Sequence, residues 1–205
     1  VGCAASAAAQ STTIGSYAAA TGTFASAVGY KSSAVGSNSV AMGHLSAATG
    51  TRSVAVGATS AAGDYGVSLG YFANGRPVTK GASAIAIGRD TTSSGKSAIA
   101  IGGNTADSLP GTRATNEAAI AIGDQSLSSG FRSTSIGYEA NALASNAVAV
   151  GTRSQASGAS AIALGHGAQA TGTQSLASNA VAVGTRSQAR GVSEFLCARR
   201  SGYFP

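Results

Sequence analysis

A five-residue run of alternating large and small apolar residues, closed by glycine, returns along this chain of 205 residues. Ala84-Ile85-Ala86-Ile87-Gly88 comes back, with Val or Leu variants, at 98–102, 119–123, 147–151 and 161–165. Closing glycines stand at 2, 15, 29, 43, 57, 70, 88, 102, 123, 137, 151, 165 and 184, and seven of the twelve intervals between them are fourteen residues. A second glycine, at 22, 36, 50, 95, 130, 158 and 172, falls seven residues after a closing one, so each repeat divides into two arms ending in turns. A repeat this short cannot bury a face alone. It must stack on its neighbours, which is the logic of a solenoid.

The alternation has period two, so each run reads as a strand. It is too short for a helix, and glycine every seven residues makes helix costly. The second arm, such as Asp90-Thr91-Thr92-Ser93-Ser94, is polar and suits an outer wall. Stacked parallel strands set like residues above one another at about 4.8 Å. The expected fold is all-β: a parallel β-roll of about fourteen residues per coil. The larger residues are expected inside, as a core ladder of Val40, Met42, Val54, Val56, Ile85, Ile87, Ile99, Ile101, Ile120, Ile122, Val148, Val150, Ile162 and Leu164. The opposite face of the same strands then carries Ala41, Ala55, Ala86, Ala100, Ala121, Ala149 and Ala163 outward. A small apolar stripe of that length is an expected self-association interface, most simply in a trimer.

Composition agrees with many thin layers rather than one thick core. Aromatic residues are 5%, charged residues 10%, and Trp is absent. Three prolines and regular Val/Ile runs argue against disorder. The net charge of +6 is dispersed over residues such as Lys31, Arg52, Arg89, Arg132 and Arg153. Without a basic cluster interleaved with aromatics, nucleic acid is not an expected partner; anionic glycans or acidic matrix proteins fit better. Cys3 and Cys197 match no metal or redox spacing and would lie far apart in a stack. No apolar run is long enough for a membrane-spanning helix. No signal peptide is visible at Val1-Gly2-Cys3, and the chain is expected to be a piece of a longer protein.

Catalytic motifs fail on context. Gly165-His166-Gly167-Ala168-Gln169-Ala170 matches a dinucleotide fingerprint, but Thr171-Gly172-Thr173 follows where a helix is needed. Gly95-Lys96-Ser97 resembles a P-loop end, but Asp90 stands where the first glycine belongs. His44 and His166 are too distant in a stack to share a metal. The seven carboxylates are scattered, and no calcium-binding β-roll motif occurs. No enzyme activity, cofactor or metal is expected.

Asn38-Ser39-Val40-Ala41-Met42-Gly43 and Asn146-Ala147-Val148-Ala149-Val150-Gly151-Thr152-Arg153-Ser154 resemble the tandem motif of YadA-like trimeric autotransporter adhesin heads. Arg52-Ser53-Val54-Ala55-Val56-Gly57 and Lys96-Ser97-Ala98-Ile99-Ala100-Ile101-Gly102 match with a basic residue in the Asn place. The resemblance covers residues 1–189. It implies a left-handed roll, a homotrimer, display on the outer membrane of a Gram-negative bacterium, and binding of a host matrix protein or cell-surface glycan. A coiled-coil stalk and a membrane anchor are not visible in this chain. The alternatives are an ice-binding or other purely structural β-solenoid and a polysaccharide-processing β-helix. Thr ladders are irregular here, and acidic clefts are lacking.

Three interruptions break the period. Extra residues near 71–80 and 103–115 predict loops, with Tyr71, Phe72, Arg76, Lys80 and Arg113 as candidate ligand contacts. The third follows Gly172, where Leu176–Ala189 repeats Leu143–Ala156 letter for letter at an offset that breaks the period. Residues 190–205 show no repeat and are expected to lie outside the roll.

Overall fold

The computed structural model describes residues 2–72, 74–75, 83–104, 110–171, 179–190 and 195–197. The chain winds as a parallel β-roll. Each coil supplies one two-residue strand and one three-residue strand, and these stack into two parallel sheets of 13 strands. Ile85–Ile87 pairs with Ile99–Ile101, one repeat later, residue for residue. The register survives the irregular intervals, since Val67 pairs with Ile85, Ile99 with Ile120, and Ile162 with Val181. Extra residues are therefore taken up between strands. Those before Ile85 and Val181 fall where the chain passes from the two-residue to the three-residue sheet, and those before Arg113 fall on the opposite edge.

Burial reverses the expected facing of the strands. In Ile85–Ile87, Ile99–Ile101, Ile120–Ile122 and Val148–Val150 only the central residue is buried. Ala41, Ala55, Ala86, Ala100, Ala121, Ala149 and Ala163 have 0% exposure and form the interior ladder, so none of them can be an interface. The residues expected as core are half-buried on the outer face (Val40, Val54, Val56, Ile85, Ile87, Ile99, Ile101, Ile120, Ile122, Val148, Val150, Ile162 and Leu164), and Met42 is 43% exposed. The reason is the width of the roll. One coil sends four small side chains inside, as with Ala119, Ala121, Ser126 and Ser128, and the largest fully buried side chains are Thr91 and Thr112. Two walls this close hold Ala, Ser and Thr at interior density and have no room for Ile.

Buried hydroxyls in this interior need partners. Ser32, Ser60 and Ser187 donate to the carbonyls of Gly29, Gly57 and Gly184, each at 3.0 Å, which ties an inward side chain to its own turn. The turns stack as well. The Lys31 amide donates to the Ser16 carbonyl and the Leu45 amide to the Tyr30 carbonyl, both at 3.0 Å.

The two glycine series serve different needs. Gly43 has φ +128°, a conformation open to glycine, and a Cβ there would also sit 2.7 Å from the Gly57 carbonyl oxygen. Gly36 has no positive φ; a side chain there would overlap the backbone of Gly50 in the next coil. The left-handed turn position is filled instead by ordinary residues, among them Asn38, Arg52 and Thr59, at φ +56°, +53° and +55°.

Residues Phe195–Cys197 form a strand paired with Val181–Val183, Phe195 opposite Val181 at an offset of fourteen. The ladder thus extends past residue 189 over these three residues, contrary to the expected break. Backbone pairing needs no particular side chain, so the lost repeat signature did not prevent another rung.

Candidate functional site

Three surfaces on this roll carry more than generic polar side chains. The first is the outer face of the three-residue sheet. Val40 and Met42, Val54 and Val56, Val67 and Leu69, and Ile85 and Ile87 stack in register into two parallel apolar columns. The columns continue through Val181 and Val183, with Thr134 as the one polar residue in the first of them over this span. Ile14 at 52% and Ile136 at 38% show how open parts of this face are in the single chain. Ten rungs, from Val40–Met42 to Val181–Val183, at about 4.8 Å each make a stripe on the order of 40 Å long.

The second surface is the pair of edges. Tyr17 meets Tyr30 edge-on at 6.0 Å, and Tyr30 stacks on His44 at 5.6 Å with 8° between the ring planes. Arg52 lies over the Tyr65 ring and Arg132 over Phe131, at 5.8 and 4.7 Å from the ring centres, on the opposite edge. Tyr71 and Phe72 are exposed and pack on each other at 4.3 Å. Arg76 and Lys80 lie outside the described residues.

The third surface is an open groove of about 440 Å³ on the two-residue sheet, lined by Pro110, Arg113, Gln125, Leu127, Glu139, Asn141, Arg153 and Gln155. Its floor is a register column, Arg113 on Leu127 on Asn141 on Gln155. Gln125, Glu139 and Arg153 stand two residues before three of these, each at the left-handed turn position. The residues between, Ser126, Ala140 and Ser154, point inward and are buried. Residues two apart share a side of the backbone, so turn and floor residues line one groove. Pro110, from the end of the second interruption, closes one end.

Charge in the groove is partly matched. Arg153 Nε donates to Glu139 Oε2 at 2.6 Å, and the Arg153 guanidinium lies 5.8 Å from the Tyr138 ring centre. Asn141 Nδ2 donates to the Glu139 carbonyl at 2.8 Å. The hydrogen bond from Arg153, helped by the Tyr138 hydroxyl, holds the Glu139 carboxyl below the usual carboxylate range. Glu139 in turn raises the Tyr138 phenol and the Arg153 guanidinium. The Arg113 side chain has no ion pair or hydrogen bond among the described residues.

Of the expected ligand contacts, the structure places Arg113 in the groove and leaves Tyr71 and Phe72 off its lining. Sequence reading missed Glu139, Asn141, Arg153 and Gln155. Their signal was the period itself, because 125, 139 and 153, like 127, 141 and 155, are fourteen apart and must stack. Among the described residues, no three His, Cys, Asp or Glu side chains gather as a metal site.

A sequence model of the YadA head domain repeat matches residues 34–60, 48–73, 80–105, 128–154 and 156–178, together more than half of the chain. Among solved structures, the collagen-binding domain of the Yersinia adhesin YadA superposes with a TM-score of 0.53 at 23% identity, covering 78% of this chain and 73% of that one. A comparison with curated proteins gave no match.

Proposed function

This chain belongs to the YadA head family, and from that premise we propose that it is the head of a surface adhesin, which assembles as a homotrimer and binds host matrix or cell-surface components. The observation that carries the assembly is the Ile/Val stripe. It runs from Val40–Met42 to Val181–Val183 and is two side chains wide on each rung except that of Thr134. Long apolar stripes seldom stay exposed on soluble proteins. A second copy of the same chain is the occupant that matches it in length and period, rung for rung. Three copies facing a common axis with this sheet would enclose the stripes in a shared apolar core. The interface expected on the alanine face is replaced by one on the isoleucine and valine face.

The partner is a proposal drawn from the structural relative, a collagen-binding domain. A collagen or another host matrix protein is the first ligand to test. Display on a Gram-negative cell surface belongs to the same reading. An ice-binding solenoid finds less support. The outward column of the two-residue sheet runs through Thr92, Arg113, Leu127, Asn141 and Gln155, and this is not a threonine ladder.

Light scattering on the purified chain, followed by capture on immobilised collagen, tests the proposal. The expected result is a trimer that binds, and that dissociates to folded monomers when Ile99 and Ile101 are both changed to Asp. A monomeric wild-type chain would sink the assembly. A trimer that captured neither matrix protein nor cells would sink the adhesin reading.

A further inference from the structure

We propose that the groove beside the second interruption binds an acidic oligosaccharide, with the carboxylate or sulfate of the sugar on Arg113. The proposal deepens the adhesin reading and rests on it. Arg113 is half-buried on the groove floor and has no ion pair or hydrogen bond of its side chain among the described residues. The groove's other arginine is already paired, Arg153 with Glu139. Among the described residues its unmatched charge is thus that of Arg113, at the Pro110 end. Two rungs along, at about 10 Å, the surface turns to neutral amides, Asn141 and Gln155, with Leu127 between.

That order describes the ligand. A guanidinium recognises a carboxylate or sulfate through paired charge-assisted hydrogen bonds. Side-chain amides both donate and accept, as sugar hydroxyls do. An open, mostly polar trough suits a hydrated chain better than an apolar one.

An acidic peptide is less well served. The floor strands spend their backbone groups within the sheet: the Arg113 amide donates to Ser126 at 2.9 Å, and those of Leu127, Asn141 and Gln155 donate to Ala140, Ser154 and Ala168, each at 2.8 Å. Among the described residues these floor strands are interior to the sheet, each paired on both sides, so the groove offers no edge to an added strand.

Calorimetric titration of the full chain tests the groove. The probes are a heparin-derived octasaccharide, a hyaluronan-derived octasaccharide, a neutral maltodextrin of equal length and an oligoglutamate peptide. At least one acidic saccharide is expected to bind, with the neutral saccharide and the peptide much weaker. Binding of heparin alone assigns the contact to sulfate; binding of both shows that a carboxylate suffices. Arg113→Gln should weaken binding about tenfold, which is one ion-paired contact, and Arg113→Lys should restore part of it. Arg132→Gln removes the same charge from the opposite edge and should change nothing. Circular dichroism should show the roll intact in all three variants.

Equal losses in Arg113→Gln and Arg132→Gln would mean diffuse attraction to a basic protein, and would overturn the proposal. So would oligoglutamate binding as tight as that of the saccharides. If no acidic saccharide binds while immobilised matrix protein is still captured, the groove assignment fails and the adhesin reading stands. If neither is captured, both fail.

Discussion

Ala86 and Ala100 pair in register inside the roll, and neither has any exposure to solvent. Their neighbours Ile85 and Ile87 stand half-buried on the other side of the same strand. The interior is therefore built from methyl groups and hydroxyls, and its tolerance for size should be narrow.

Substitution at Ala100 measures that tolerance. Ala100→Ser should cost about 1 kcal/mol, because serine already occupies the equivalent ladder positions 68 and 135. Ala100→Ile should cost about 3 kcal/mol or more through overpacking. Urea unfolding midpoints are the measurement, and equal midpoints for the two variants would show a wider interior than the burial pattern implies.

Two interior serines should respond in opposite directions. Ser53 donates to the Gly50 carbonyl at 2.6 Å, so Ser53→Ala should destabilise by about 1 kcal/mol. Ser135 pairs in register with Ala121 and Ala149, and its hydroxyl is buried without a partner. Ser135→Ala should raise stability by about 1 kcal/mol, since it removes an unmet polar group from a site shaped for alanine. Thermal or chemical unfolding compares the two, and a loss at Ser135 would contradict the account.

Thr59 has a β-branched side chain at φ +55°, and its hydroxyl is also buried without a partner. Left-handed backbone costs such a residue about 1–2 kcal/mol, whereas asparagine visits it readily. Thr59→Asn should therefore raise the unfolding midpoint. The swap Asn38→Thr, at the corresponding position of another turn, should lower it.

The Glu139–Arg153 pair gives a pH prediction. The Glu139 carboxyl is held below its ordinary value, chiefly by the hydrogen bond from Arg153. Whatever the contact adds is complete above the ordinary carboxylate range, and it is lost as pH falls through the depressed value. Carboxyl NMR titration should place Glu139 below an exposed glutamate, and Arg153→Gln should bring it back up. An unchanged titration in the variant would remove Arg153 as the cause.

Much of the fold was readable from spacing. The recurrence of Ala-Ile-Ala-Ile-Gly specified strand, turn and parallel register together, because only one offset puts like residues over like. The groove was also implicit, in residues fourteen apart. Its meaning was hidden because Gln125, Glu139 and Arg153 each look like an ordinary polar turn residue until stacking sets them beside Arg113.

What the alternation could not convey was which face turns inward. Ile85 and Ala86 are both apolar, so a period of two defines two faces and ranks neither. The usual expectation, that larger apolar residues go inside, fails here because coils of fourteen residues bring the two walls too close for them. Residue order alone settles the repeat, the strands and their register. The inward alanine ladder, the outward isoleucine stripe and the place of Arg113 in a groove beside the Glu139–Arg153 pair follow only when the walls are closed, because the space between them selects the small side chains and leaves the large ones on the outer face.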